Sequence, residues 1–364
     1  MNRRTFLQRG GIVAAGIALG AWPRLRRPAR AAETPRWRTF EVTTKITIAE
    51  ASGVSRAWVP IPLMTDTDYF KRLGDTWTGN AATAQIFRED KYDAGMVGAE
   101  WPASEQTPEL VVTSHFATRD RQVDFRQSAN GGTEDPTVLA LYRQPTRLLP
   151  TDGLVSETAG EITKGLTGDL EKARAIYEWI VEHTFRDPKV RGCGIGDISG
   201  MLETGYLGGK CADLNALYVG LARAAGLPAR DVYGVRVAAS AEFKSLGKSD
   251  DITKAQHCRA EVFLSGYGWV PVDPADVRKV VLEERPEGLT LEDPMVQKAR
   301  RKLFGAWELN WVPFNYAHDV SLPNTTGPVL PFLMYPQAET AAARKDELDP
   351  ATFRYTMTAR EITR

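Results

Sequence analysis

Gly208-Gly209-Lys210-Cys211-Ala212-Asp213 sets a thiol directly behind a glycine pair, and Leu214, Leu217, Tyr218, Leu221 and Ala225 follow at three- and four-residue spacing. That spacing predicts a helix buried on one face, with Cys211 at or just before its N-terminus. Unpaired backbone N–H groups and the positive end of the helix dipole favour a thiolate there. The paired glycines lack Cβ atoms, so a substrate or another backbone can approach the sulfur. Gly226 and Pro228 end the pattern. A buried cysteine that merely opens a core helix has the same local pattern, so the nucleophile reading of Cys211 turns on what the rest of the chain supplies.

A cysteine nucleophile needs a histidine base within hydrogen-bond reach and a third group to orient that ring. Gln256 to Leu264 reads as a strand, Ser265 to Gly268 as a turn and Trp269 to Pro274 as a returning strand, so one hairpin offers both His257 and Asp273. The register decides whether they meet. A four-residue loop leaves them on opposite faces of the pleat. A three-residue loop, Ser265 to Tyr267, pairs Leu264 with Gly268 and Arg259 with Asp273, which sets Asp273 diagonally across from His257 at about 7–8 Å between Cα atoms. The catalytic reading requires this second register or a bulge. Asp276, which the first register would place opposite His257, is the reserve candidate for orienting the ring.

Gly-Lys-Cys-Ala-Asp, then His257 opening a strand, then Gly268-Trp269-Val270-Pro271-Val272-Asp273-Pro274, resembles the core of the transglutaminase-like superfamily of papain-type cysteine enzymes. The flanks Ala173 to Ile180 and Ala225 to Arg230 strengthen the resemblance, which covers about 150 to 280. It implies an α+β fold, with the cysteine helix packed on an antiparallel sheet that carries histidine and aspartate. Carried over by position, Cys211 is the nucleophile, His257 the base and Asp273 the orienter. The resemblance implies attack on an amide or peptide bond through a thioester acyl-enzyme, resolved by water or by an amine. Animal transglutaminases have Gln and Trp flanking the cysteine, where this chain has Lys210 and Ala212. In such enzymes the segment before the cysteine runs beside the site, so Tyr206 or a neighbouring backbone N–H could join the Cys211 N–H in an oxyanion hole. The rival from another class is a non-catalytic periplasmic binding or scaffold protein that keeps the fold.

The beginning of the sequence points to export. Arg3-Arg4-Thr5-Phe6-Leu7, an apolar run from Gly10 to Trp22 and further arginines at 24, 26, 27 and 30 resemble a twin-arginine signal, with a small-x-small site at Ala29-Arg30-Ala31. The apolar run is short of the roughly 20 residues a bilayer span needs. The expected mature start is near Ala32, the expected compartment the periplasm, and the expected partners an amide substrate and the twin-arginine machinery. Seven arginines and no acids lie in 1–31, so a net charge of zero becomes −7 beyond them. No basic face suited to nucleic acid is expected, nor a membrane span in the mature chain. In an oxidising compartment three cysteines are an odd set: either Cys193 pairs with Cys258 and leaves Cys211 free, or all three are free. A zinc site from Cys193, Cys211, Cys258 and His257 lacks paired-ligand spacing. No calcium loop is present, and no metal or organic cofactor is expected.

Around the core, the sequence predicts a β-rich N-terminal region over 36–125, a catalytic core over 150–280 and a β-containing extension over 281–364 that packs on one of them. Alternation at 39–48, then 56–62, 85–87 and 110–116, gives the N-terminal strands, separated by Gly- and Asp-rich turns. The stretch 126–150 reads as a connector, Asp169 as a possible N-cap of a helix ending near Thr184, and 231–237 as a strand. The run 239–254 reads as solvated surface or as a substrate-selecting rim. His115 is placed on a strand, His183 at a helix C-terminus and His318 in a polar turn. Phe353, Tyr355 and Met357 alternate on a tail strand that could pair with the N-terminal region.

Overall fold

Alternating apolar and polar side chains lay down the outer sheets. In the computed structural model, which describes residues 36–126 and 133–363, the N-terminal strands are β1 (Arg38–Ile48), β2 (Ser55–Pro60), β3 (Phe70–Gly79), β4 (Thr83–Arg88), β5 (Gly95–Trp101) and β6 (Glu109–Thr118). The signal segment and the cleavage site lie outside the described residues. β1 buries Phe40, Val42, Ile46 and Ile48, the face its alternation predicts. β3 and β5 occupy stretches read as turns. β3 is largely solvent-facing and β5 almost wholly buried, so neither alternates and neither carries the period-two signal.

The central antiparallel sheet is made of β7 (Ala229–Arg236), β8 (Gln256–Leu264), β9 (Gly268–Val272) and β10 (Trp311–Asn315), in the order β9-β8-β7-β10. Against it stand α1 (Gly153–Ile162), α2 (Asp169–His183), α3 (Cys211–Ala224) and α4 (Pro274–Glu283). The chain is thus α+β, with the cysteine helix on an antiparallel sheet. α3 is buried from Cys211 to Arg223, not on one face only. It packs on β7 and β8 and is also flanked by α1, α2 and α4, so its outer side meets helices where a surface helix would meet water. Gly168, not Asp169, caps α2, and Asp169 is its first helical residue. A short helix, Pro136–Leu141, interrupts the expected connector, with Asp135 accepting from Thr137 N–H. His318 lies buried on a short strand, His318–Val320, 3.2 Å from Asp231, and not in a polar turn.

Two more strands, β11 (Gln337–Glu339) and β12 (Phe353–Glu361), return to the N-terminal region. β11 extends the sheet β11-β2-β5-β4. β12 pairs antiparallel with β1 from Phe40↔Glu361 to Ile48↔Phe353, while β6 takes the other edge of β1. The tail strand therefore joins the N-terminal sheet as the alternation suggests. No described helix is long and apolar enough to cross a membrane.

Candidate active site

Cys211 is the first residue of α3, behind the N-cap Lys210. Asp213 holds this end in place. Its Oδ2 accepts from Lys210 N–H at 2.9 Å, and its Oδ1 accepts from the N–H groups of Ile195 and Gly196 at 3.0 Å each. The loop carrying Cys193 is thereby laced to the helix start, and Ala212 N–H adds a 2.9 Å bond to the Cys193 carbonyl. Gly194 has a left-handed φ of 89°, and a Cβ there would lie 1.9 Å from Asp213 Oδ2. A side chain at that position would force the loop off the helix.

The hairpin adopts the three-residue register, Leu264 opposite Gly268 and Ala260 opposite Val272. The chain leaves β9 at Asp273, which caps α4 by accepting from Asp276 N–H at 3.1 Å. His257 Nε2 lies 2.8 Å from Asp273 Oδ2 and 3.4 Å from Asp276 Oδ2. Both acids thus reach the ring, one by the strand diagonal and the other from the first turn of α4. With Nε2 turned toward the carboxylates, Nδ1 is the ring nitrogen left for Cys211, which lines the same cavity as His257 and whose ionisation the imidazole favours. The structure brings Cys211, His257, Asp273 and Asp276 together.

All three cysteines are free and buried, so Cys193 and Cys258 do not pair. Cys193 donates its S–H to the Gln256 carbonyl at 3.3 Å, and both thiols are electrostatically linked to Cys211. The neighbouring Cys193 and Cys258 thiols, with the His257 imidazole, outweigh burial and hold the Cys211 thiol well below the usual thiol range. Burial and the repulsion of Arg236 oppose protonation of His257, but Asp276 and Asp273 prevail and raise it to about 9. Burial and neighbouring Asp276 push Asp273 up, whereas Arg236 holds Asp276 well below the carboxylate range against its own burial.

Several partners of the site escaped the sequence reading. Asn215, one helical turn after Cys211, donates from Nδ2 to the Cys258 carbonyl at 2.8 Å and to Asp273 Oδ1 at 3.2 Å. Its spacing of four from Cys211 is the signal that could have found it. Arg259, two residues along β8 from His257, stands 3.5 Å from Asp273 Oδ2 with its guanidinium over the Trp311 ring at 4.8 Å. Trp311 Nε1–H in turn donates to the His257 carbonyl at 2.9 Å. Arg236 binds both Asp276 oxygens, at 2.6 and 2.8 Å. Nothing local marks Arg236, because only the pairing of β7 with β8 brings it to the site. Tyr206 is 53% exposed and donates its hydroxyl to Asp187 at 2.8 Å.

His257, Asp273 and Asp276 hold ligand atoms within 4.8 Å of one another, the one such set among the described residues. Two guanidinium groups already face its carboxylates, so a metal ion would enter against two fixed positive charges. The set fits internal charge pairing better than a metal. Cys211 is only 4% exposed, but it lines a cavity of about 500 Å³ together with His257, Lys210, Gln256 and Tyr335.

Residues 156–274 match the model of the transglutaminase-like superfamily core. A Haemophilus influenzae protein described only as uncharacterized is 34% identical over 340 residues, which cover 89% of this chain and 91% of its own. The chain carries a domain of the transglutaminase-like superfamily. Its fold is similar to that of a candidate cysteine protease from Cytophaga hutchinsonii, with a TM-score of 0.50 at 16% identity, covering 89% of this chain and 98% of that one. The periplasmic domain of TgpA from Pseudomonas aeruginosa aligns over 69% of this chain and 93% of its own, at 17% identity and a TM-score of 0.33.

Proposed function

We propose that this chain is a cysteine enzyme acting on amide or peptide bonds through Cys211, His257 and Asp273. The observation that carries the reading is the buried imidazole of His257, which shares a cavity wall with Cys211 and lies 2.8 Å from Asp273. The Cys211 thiolate attacks the carbonyl carbon, and the developing oxyanion faces the Cys211 N–H, one of the first-turn donors without an intrahelical acceptor. The His257 imidazolium gives its proton to the leaving amine as the C–N bond breaks, leaving a thioester on Cys211. Water or an amine, deprotonated by His257, then attacks the thioester carbonyl and releases the sulfur. Water completes hydrolysis and an amine completes transfer. Asp273, braced by Asn215 and Arg259, holds the ring in the orientation both halves use.

The test is alkylation of Cys211 by iodoacetamide across pH. Reaction should already be fast well below the ordinary thiol midpoint of about 8.5, because the sulfur is ionised beside His257. Turnover on an amide substrate should decline above about pH 9, where His257 loses the proton it must deliver. The same shift affects stability. The folded value lies above the unfolded one of about 6.5, so the imidazolium stabilises the fold fully below that pH and the contribution is lost as pH rises through about 9. An alkylation midpoint at the free-thiol value would sink the assignment.

The periplasm, reached by the twin-arginine route, is the proposed location; it rests on Arg3-Arg4 and the apolar run behind them. Replacing both arginines by lysine should retain the uncut precursor in the cytoplasmic fraction, and unchanged appearance in the periplasmic fraction would rule the route out.

A further inference from the structure

Around the sulfur the cavity wall is cationic. Arg186, Arg191, Lys210, Arg236, Lys248, Lys254 and Lys279 line it, and Glu347 is the one carboxylate among the lining residues. This runs against the bulk of the chain, which carries −7 beyond residue 31.

Four of these cations have protein acids. Arg236 is bound to Asp276 and Arg191 to Asp346 at 2.7 Å. Arg186 and Lys279 share the single carboxylate of Glu283. The other three form no ion pair with a described residue. Lys210 Nζ donates to the Val190 carbonyl at 2.6 Å, which satisfies a hydrogen bond but neutralises no charge. Lys248 and Lys254 form no ion pair with a described residue. Asp251 is exposed, and its carboxyl is held down first by Thr253, whose N–H engages Oδ1 at 3.0 Å, with Lys248 and Lys254 adding a smaller share. Burial pushes the Glu347 carboxyl up, and this one acid stands against the three lysines. A concave wall with surplus charge of one sign focuses potential and concentrates ligands of the other sign. The remaining wall, Tyr335, Leu348, Pro350, Phe353 and Tyr355, is aromatic and aliphatic.

We propose that the cleft selects an acidic peptide, with carboxylates flanking the amide presented to Cys211 and an apolar side chain laid on the Tyr335–Phe353–Tyr355 wall. The proposal rests on Cys211 being the reactive group, and its occupant is set by three lysines that the 239–254 run and the N-cap of α3 bring to the rim.

The experiment is protection of Cys211 from iodoacetamide by three blocked hexapeptides, each with one central Phe and the other positions all Glu, all Gln or all Lys. Inorganic polyphosphate of matched charge serves as a fourth competitor. The Glu peptide should protect at a concentration at least tenfold lower than the Gln peptide, the Lys peptide should not protect, and high salt should shrink the Glu advantage. In the Lys248→Gln, Lys254→Gln double variant the Glu-to-Gln ratio should fall toward one. Equal protection by the Glu and Gln peptides, or a ratio untouched in the variant, overturns the proposal. So does polyphosphate protecting as well as the Glu peptide, which would mark a general polyanion site. Failure of the nucleophile assignment is seen separately, as an ordinary thiol pH profile with no competitor present.

Discussion

Replacing His257 by alanine is expected to lower kcat/KM on an amide substrate by roughly 10⁴- to 10⁶-fold, because one ring serves as ion-pair partner, acid and base. Loss of the imidazole removes a group that favours the Cys211 thiolate. The alkylation midpoint should therefore move up toward the ordinary thiol range. It should not recover fully, since Cys193 and Cys258 still favour ionisation of the sulfur. The two readouts separate chemistry from folding: a variant that merely unfolds would expose all three thiols to the reagent, which peptide mapping detects. A variant that keeps turnover within about tenfold of the parent would contradict His257 as the proton carrier.

The second large effect is on stability. Arg236 is buried, with Nη2 on both oxygens of buried Asp276 and Nη1 on the Leu246 carbonyl at 2.5 Å. Arg236→Met strands the Asp276 charge in the interior and leaves two carboxylates to share His257 and Arg259. Removing one partner of a buried pair costs about 3–5 kcal/mol, measurable as a lower midpoint in urea unfolding. Adding Asp276→Leu should restore much of the loss, because an apolar pair of similar volume in a buried site can be close to neutral. If the single variant unfolds at the parental midpoint, the ion pair does not bear on stability. If the double variant is no better than the single, Asp276 is needed for more than neutralising Arg236.

The hairpin was legible in the sequence because its parts are local. Strand, turn and returning strand follow one another, and the functional requirement that Asp273 reach His257 selects the three-residue loop that the register shows. The start of the cysteine helix was legible for the same reason: glycines, cysteine and an apolar stripe lie within one stretch. Its burial on every side was not, because stripe periodicity reports what a helix faces but not what later covers its back. His318 acquires its meaning only against Asp231, far away in the chain. The charge network was legible in part. Asp273 and Asp276 flank the hairpin end, whereas Arg236 comes from a neighbouring strand and Arg259 gave no reason to be distinguished from any other strand arginine. The three thiols show the limit most directly. Sequence allowed a Cys193–Cys258 bridge, and only the fold links both thiols to Cys211 instead.

β12 supplies Phe353 and Tyr355 to the cleft while its backbone is zipped to β1. During synthesis, therefore, the sulfur, the imidazole and the carboxylate all emerge from the ribosome well before the groove has its far side. A nascent or partly unravelled chain presents a reactive thiol without the surface that would seat a peptide against it. On the proposed function, seating of a peptide against Cys211 therefore waits for completion of the sheet.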